Sequence, residues 1–261
     1  MIPPSTLVWL ICGALFCFAL PIGLLIWWRR TRRAKLTPLF VGALTFFVFA
    51  LVLEPLSHRF FLLSDNAVSR ALNANPYLYG LYGALAAGIF EETGRYFAFR
   101  VLLPKRKFPE RDTAVTYGIG HGGIEAMLLV GVTLLADAGL AIYLGSGAPA
   151  AAIPGLGEAL PELESALRAL TPGTILVSML ERGAAVLFHI ALSCFVFLAA
   201  RDRTKRKWLL LAILVHAAAD FPAALYQRGI LPQGLIEIWF WVMALYALRS
   251  ARKCYREAMD P

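Results

Sequence analysis

Ionisable side chains interrupt four of the apolar stretches in this 261-residue sequence, each stretch being long enough to cross a membrane. A charged group at mid-membrane costs at least about 2.5–3.5 kcal/mol, so such residues commonly have a function. Carboxylates and imidazoles can also activate water, as general bases or as ligands of a divalent metal. The residues concerned are Glu91, Glu92, Arg95, His121, Glu125, His189, His216 and Asp220.

The spacing of these residues places several of them on common helix faces. Three pairs are four residues apart: His121 with Glu125, His216 with Asp220, and Glu91 with Arg95. A carboxylate one turn from an imidazole can fix its orientation and tautomer. Arg95 can keep Glu91, or Glu92 three residues away, ionised despite burial. We predict Glu91 as the general base and Glu92 as the orienting partner, and the reverse assignment stays open.

The depth of these residues favours one shared site. At about 1.5 Å per residue, the carboxylates and imidazoles lie within a slab of about 8 Å in a hydrocarbon core about 30 Å thick. Either a carboxylate deprotonates water while the imidazoles stabilise the oxyanion, or the imidazoles bind a divalent metal. Zinc fits three imidazoles best, and we predict His121, His189 and His216 as its ligands. Glu91, Glu92, Arg95, Glu125 and Asp220 are the predicted catalytic residues.

The composition indicates the kind of structure that must position these residues. Hydrophobic residues make up 59% of the chain and charged residues 16%, against about 45–50% and about 25% in soluble domains. So few charges exclude a soluble enzyme, a disordered regulator and a basic nucleic-acid-binding domain. The sequence predicts an all-α, polytopic helical bundle that forms a single integral membrane domain over residues 1–261, with a catalytic core at 77–226.

Seven stretches are long enough to span, and the basic loops orient them. Lysine and arginine cluster at 29–35, 104–112, 200–206 and in the tail, on alternate connections. This asymmetry predicts seven crossings with the N-terminus outside and the C-terminus inside, in what we expect to be a bacterial plasma membrane. The predicted spans are 6–28, 36–56, 77–103, 113–135, 173–199, 207–226 and 230–248.

The outer loop is predicted at 136–172 and contains one amphipathic segment. Leucines recur there at intervals of three and four residues between glutamates, which is typical of an amphipathic helix. The pattern fits either a helix lying on the outer membrane surface or a lid over the site.

Two runs in the ionisable spans resemble known family motifs. Residues 90–96, Phe-Glu-Glu-Thr-Gly-Arg-Tyr, and 118–126, Gly-Ile-Gly-His-Gly-Gly-Ile-Glu-Ala, resemble the signature motifs of the YhfC family of intramembrane metalloproteases. His189 and the segment from His216 to Asp220 resemble its later motifs. The family is similar to PrsW-type proteases and, more distantly, to CAAX and bacteriocin-processing proteases. CAAX enzymes have Glu-Glu-x-x-x-Arg, and asparagine in place of Asp220, which argues against a CAAX substrate here.

The resemblance implies proteolysis within the membrane, with Glu91 or Glu92 activating water and the three histidines around it. The expected partners are a membrane protein or peptide substrate and the lipid bilayer, with no nucleic acid. Two other functions fit the residues: a proton- or ion-coupled transporter, and a non-catalytic scaffold with a polar core.

Overall fold

The computed structural model describes residues 3–108, 112–146 and 156–259, and it confirms a polytopic helical membrane protein. No strand occurs in these three ranges. The helices are α1 (Pro4–Arg32), α2 (Thr37–Leu63), α3 (Ala67–Ala74), α4 (Pro76–Phe97), α5 (Asp112–Gly145), α6 (Leu156–Ala169), α7 (Pro172–Arg201), α8 (Lys207–Gln227) and α9 (Gln233–Met259). One π-helical turn, Ala98–Leu102, extends α4, and another, Ala126–Gly131, interrupts α5.

Six of the seven long helices are apolar enough to cross a membrane by length and composition. The seventh, α4 with its π-helical extension, carries the charges of Glu91, Glu92, Arg95 and Arg100. Those charges lower the hydropathy of α4 without shortening it. Seven crossings and the outside position of the N-terminus therefore remain predictions.

The start of the predicted outer loop, at 136, falls within a helix of the structure. Helix α5 continues through the apolar segment Val132–Gly145, so the connection on that side begins about ten residues later. The amphipathic segment forms α6, as predicted. Its Leu167 is buried against Leu10, Leu134 and Ile175 of the neighbouring long helices, which fixes the C-terminal part of α6 to the bundle.

Helix α7 lies at the centre of the bundle and is buried along most of its length. Its residues are apolar on every side from Ala184 to Ala200, apart from His189 and Ser193. A helix that is apolar all round is one that other helices surround. Helices α5 and α9 pack along it, α8 packs closely on α4, and α2 packs on α5. The central position of α7 brings His189 within reach of α4, α5 and α8.

Glycines let the helices approach closely at the level of His121. A Cβ at Gly122 would lie 3.0 Å from the Cα of Val186, and a Cβ at Gly88 would lie 2.7 Å from the Ile213 carbonyl oxygen. On another face of α5, Gly120 meets the backbone of Leu39. Small residues of this kind allow close backbone contact between membrane helices. They set the distances across which the site residues meet.

We expect Gly120→Ala to destabilise the protein by about 1–3 kcal/mol, because the new methyl would overlap the Leu39 carbonyl group, which is fixed in α2. The matched control is Gly139→Ala on the same helix, where a Cβ meets nothing within 4 Å. Thermal unfolding in detergent should show a lower midpoint for the first variant alone. Equal midpoints for the two variants would show that the α2–α5 contact tolerates separation.

Candidate active site

The carboxylate of Glu91 lies at the centre of three buried histidines. Its Oε2 accepts a hydrogen bond from His121 Nε2 at 2.8 Å and lies 3.8 Å from His189 Nδ1. Its Oε1 lies 3.9 Å from His216 Nε2. Helices α4, α5, α7 and α8 therefore each contribute one of these four side chains to a single cluster.

Glu92 is fully buried and holds His216. Its Oε1 accepts a hydrogen bond from His216 Nδ1 at 2.8 Å. A carboxylate only accepts hydrogen bonds, so this contact assigns a proton to Nδ1 and turns Nε2 towards the site. His216 Nε2 lies 3.3 Å from Asp220, one turn later on α8. Glu92 thus orients an imidazole, whereas Glu91 faces three of them.

Arg95 is completely buried and ties α4 to the central helix. Its Nε pairs with Glu92 Oε2 at 3.0 Å. One guanidinium nitrogen donates to the His189 carbonyl at 2.8 Å and to Ser193 Oγ at 2.5 Å, and the other lies 3.1 Å from His189 Nδ1. The guanidinium also lies over the Tyr117 ring, 5.8 Å from its centroid. Arg95 is therefore the positive group that neutralises Glu92 and positions His189.

Glu125 and Arg182 extend the cluster from His189 towards the N-terminal half of α7. His189 Nε2 lies 2.5 Å from Glu125 Oε2. Glu125 Oε1 in turn accepts a hydrogen bond from Arg182 Nη1 at 2.6 Å, and Arg182 Nη2 donates to Glu181 at 2.6 Å. This chain of contacts fixes the His189 ring from the side opposite Arg95.

Aromatic rings enclose the imidazoles. Phe46 meets the His121 ring edge-on at 5.3 Å between centroids, and Tyr117 stacks on it at 5.8 Å. Phe188 lies against His189 and His216, at 6.1 Å and 5.7 Å. Such walls lower the local dielectric constant, so charge interactions inside the site are stronger than they would be in water.

A cavity of about 300 Å³ opens onto the cluster between α7, α8 and α9. Its lining includes Glu91, His189, His216 and Asp220, and on the α9 side it reaches Glu237. Since one water occupies about 30 Å³ of liquid, this volume admits several waters or a short length of polypeptide. Glu91 lines this space, whereas Glu92 is 0% exposed.

The structure brings all eight predicted site residues into one connected cluster but changes several pairings. His216 contacts Asp220 as their spacing predicts. The spacing pairs His121 with Glu125 and Glu91 with Arg95, yet His121 contacts Glu91 and Arg95 contacts Glu92. For His121, a side chain on a neighbouring helix outcompetes the partner one turn away. Arg95 instead pairs with the other glutamate of its own helix, which is the alternative that the three-residue spacing allows.

Two residues of the cluster lack a role in the sequence-based prediction. Arg182 pairs with the adjacent Glu181 and also holds Glu125. Its position seven residues before His189 on the same helix face was the available signal. Ser193 gives its hydroxyl to the His189 carbonyl, as expected of a serine in a membrane helix, and also accepts from Arg95.

Three residues of the cluster have donor atoms close enough together to hold a divalent metal. Glu91, His121 and His189 each offer one ligand atom, and these atoms lie within 4.8 Å of one another. Two imidazoles and one carboxylate form a common ligand set of catalytic zinc. In this group Glu91 stands in the place of His216, which was the third ligand predicted from the sequence. The ring of His216 still lies only 5.6 Å from that of His189.

The fold and the cluster define a class: a polytopic helical membrane protein with a buried glutamate–histidine centre. Comparison with known proteins identifies the family within this class. The family described as YhfC intramembrane metalloprotease matches residues 16–241, and this chain belongs to it. The chain is similar to the "Uncharacterized membrane protein YhfC" of Bacillus subtilis (strain 168), at 36% identity over 253 residues, which is 96% of this chain and 95% of the relative. No solved structure matches.

Proposed function

We propose that this protein hydrolyses a peptide bond of a membrane-embedded protein or peptide, with Glu91 as the general base. The observation that carries the proposal is the position of Glu91: its carboxylate is surrounded by three imidazoles and lines a cavity large enough for water and a peptide segment. Membership of an intramembrane metalloprotease family agrees with this chemistry.

The contacts suggest a role for each group. Glu91 takes a proton from water, and the oxygen of that water attacks the carbonyl carbon of the scissile bond. His216, held by Glu92 and Asp220, stabilises the developing oxyanion as an imidazolium. The proton taken by Glu91 is then delivered to the leaving amine. Arg95 positions His189 and Glu92 and does not contact substrate in this scheme.

A divalent ion held by Glu91, His121 and His189 would supply Lewis-acid polarisation of the water or the carbonyl group. The two oxygens of Glu91 allow both functions. Oε2 belongs to the donor group with His121 and His189, and Oε1 is the oxygen nearer His216. We therefore assign the proton transfer to Oε1.

The test of hydrolysis uses purified protein in detergent micelles, a pool of synthetic transmembrane peptides and water enriched in ¹⁸O. We expect shortened peptides whose new carboxyl termini each carry one ¹⁸O atom, as mass spectrometry would show. Peptides that remain intact in the presence of folded protein, with and without added zinc, would contradict the proposal.

Metal binding is expected at one divalent ion per chain, measured by elemental analysis after dialysis against zinc. His121→Ala should weaken zinc binding by at least about 10–100-fold, since even residues that only orient ligands contribute that much. The matched control is His58→Ala, because His58 pairs with Glu54 and Tyr82 outside the cluster. Equal zinc content in the wild type and His121→Ala would remove His121 from the ligand set.

A further inference from the structure

A second cavity adjoins the active-site cavity along α8. It has a volume of about 350 Å³ and is lined by residues of α2, α4 and α8. Asp220, Ala223 and Gln227 line both cavities, so the two spaces meet at the residue that contacts His216. Both volumes fall within the range of about 300–1,000 Å³ usual for ligand sites.

Small residues keep the second cavity open. Gly83, Ala84 and Ala87 of α4 face Ala223 and Ala224 of α8 across it. A Cβ at Gly83 would meet nothing within 4 Å, whereas one at Gly88, five residues later on α4, would meet the α8 backbone at 2.7 Å. The α4–α8 interface is therefore closely packed at Gly88 and open at Gly83. The open part leaves room for a side chain longer than any that lines it.

The far end of the second cavity carries a carboxylate. Glu54 lines it, with 13% of its side chain exposed, and pairs with His58 at 3.2 Å. The Tyr82 hydroxyl lies 3.0 Å from His58 Nδ1 and so holds that ring in place. Asp220 supplies a second carboxylate at the near end. Neither lysine nor arginine is among the described residues that line this space.

We propose that this second cavity is a specificity subsite that accepts a lysine or arginine side chain of the substrate, with Glu54 binding its cationic end. The inference rests on the proposed peptidase function, because the subsite adjoins the reacting groups through Asp220. An extended peptide lying over Asp220 would place its scissile bond near Glu91 and direct a neighbouring side chain between α4 and α8. A long aliphatic stem suits the alanine-lined walls, and a charged head suits the carboxylate.

Binding tests the subsite without requiring cleavage. The probes are fluorescent transmembrane peptides with a single lysine placed at successive positions, each compared with a peptide that has norleucine there. They are titrated against the Glu91→Gln protein in nanodiscs, with energy transfer as the readout. At one position or two, lysine should bind about tenfold more tightly than norleucine, because a hydrogen bond to a charged group has this effect.

Three further variants, made in the Glu91→Gln protein, locate the effect. Glu54→Gln should remove the preference for lysine while keeping the affinity for norleucine peptides. Gly83→Leu should fill the subsite and weaken binding of the preferred lysine peptide about tenfold, and Gly83→Ala should do so less. Gly139→Leu is the matched control, since its Cβ also meets nothing within 4 Å but lies outside both cavities. Unfolding temperatures of all variants establish that they are folded.

The outcomes separate the subsite from the peptidase function. A lysine preference that Glu54→Gln abolishes supports the subsite. The absence of any position at which lysine binds better, or a preference that survives both Glu54→Gln and Gly83→Leu, overturns it. Lysine peptides that bind through Glu54 but are not cleaved by wild-type protein would retain the binding site and refute the peptidase function. Cleavage that does not depend on Glu54 or Gly83 would retain the peptidase function and refute the subsite.

Discussion

Glu91→Gln should reduce peptide hydrolysis by about 10²–10⁴-fold while the protein still inserts and folds, because it removes a general base without changing the shape of the side chain. The glutamine carbonyl can still accept the hydrogen bond from His121 Nε2 that Glu91 Oε2 accepts. What the variant loses is an oxygen that can take a proton from water. Initial rates of peptide cleavage, measured with purified protein, give the size of the effect.

Two companion variants make the Glu91 result interpretable. Glu164→Gln removes a carboxylate that pairs with Arg168 on α6, away from the cluster, and should leave the rate unchanged. Zinc content separates the two roles of Glu91: a variant that retains zinc but not activity has lost a base, and one that loses both has lost a ligand. If Glu91→Gln and Glu92→Gln both cleaved at the wild-type rate, transport or a scaffold role would become the better hypothesis.

The assignment of Glu91 rather than Glu92 depends on information beyond the sequence. On a helix, Glu91 shares a face with Arg95, and this was the reason to expect it to be ionised. The structure pairs Arg95 with Glu92 instead and buries both completely. Glu91 remains the proposed base for a different reason, since it is the glutamate of the two that lines the cavity and meets three imidazoles. Helical spacing allows either glutamate as the partner of Arg95 and does not decide between them.

The meeting of the four helices was predictable because α-helices rise by a nearly constant amount per residue. Counting from the basic loops placed all the buried carboxylates and imidazoles at one depth, and in the structure they are in contact. The glycines around His121 were recognisable as close-packing residues. Which helix each one faces was not predictable, because Gly120 and Gly122 lie on opposite sides of α5 and contact α2 and α7 respectively.

Boundaries and irregular turns were less accessible from the sequence. The end of α5 depends on a helix continuing beyond the length that a membrane requires, and composition does not mark that point. The π-helical turn at Ala126–Gly131 follows Glu125 directly and alters the helical register there. Glu125 itself lies in the regular α-helical part of α5, and the packing of α5 along α7 brings its carboxylate to His189. The missed role of Arg182 follows from the same contact.

Arg95→Gln should destabilise the folded protein by about 3–5 kcal/mol, which is the usual cost of leaving one charge of a buried pair without its partner. Glu92 would then be a fully buried carboxylate that faces a neutral amide in place of the guanidinium and keeps only His216 as a partner. The Ser193 hydroxyl and the His189 ring would also lose their donor. We expect a clearly lower thermal midpoint in detergent, measured with a thiol-reactive dye or by circular dichroism, together with loss of peptide cleavage.

A matched control and a double variant show whether the effect comes from breaking the Arg95–Glu92 pair or from replacing any arginine. Arg100, one turn later on the same helix region, is exposed and donates to the Ala200 carbonyl at 3.2 Å, so Arg100→Gln should shift stability by no more than about 0.5 kcal/mol. Combining Glu92→Gln with Arg95→Gln removes both charges and should recover part of the lost stability, because no uncompensated carboxylate remains.

The double variant should nevertheless stay inactive. His216 would no longer be held by a carboxylate, and His189 would no longer be held by a guanidinium. An Arg95→Gln protein that unfolds at the wild-type temperature would mean that water or another group already neutralises Glu92, and that the buried pair does not organise the site.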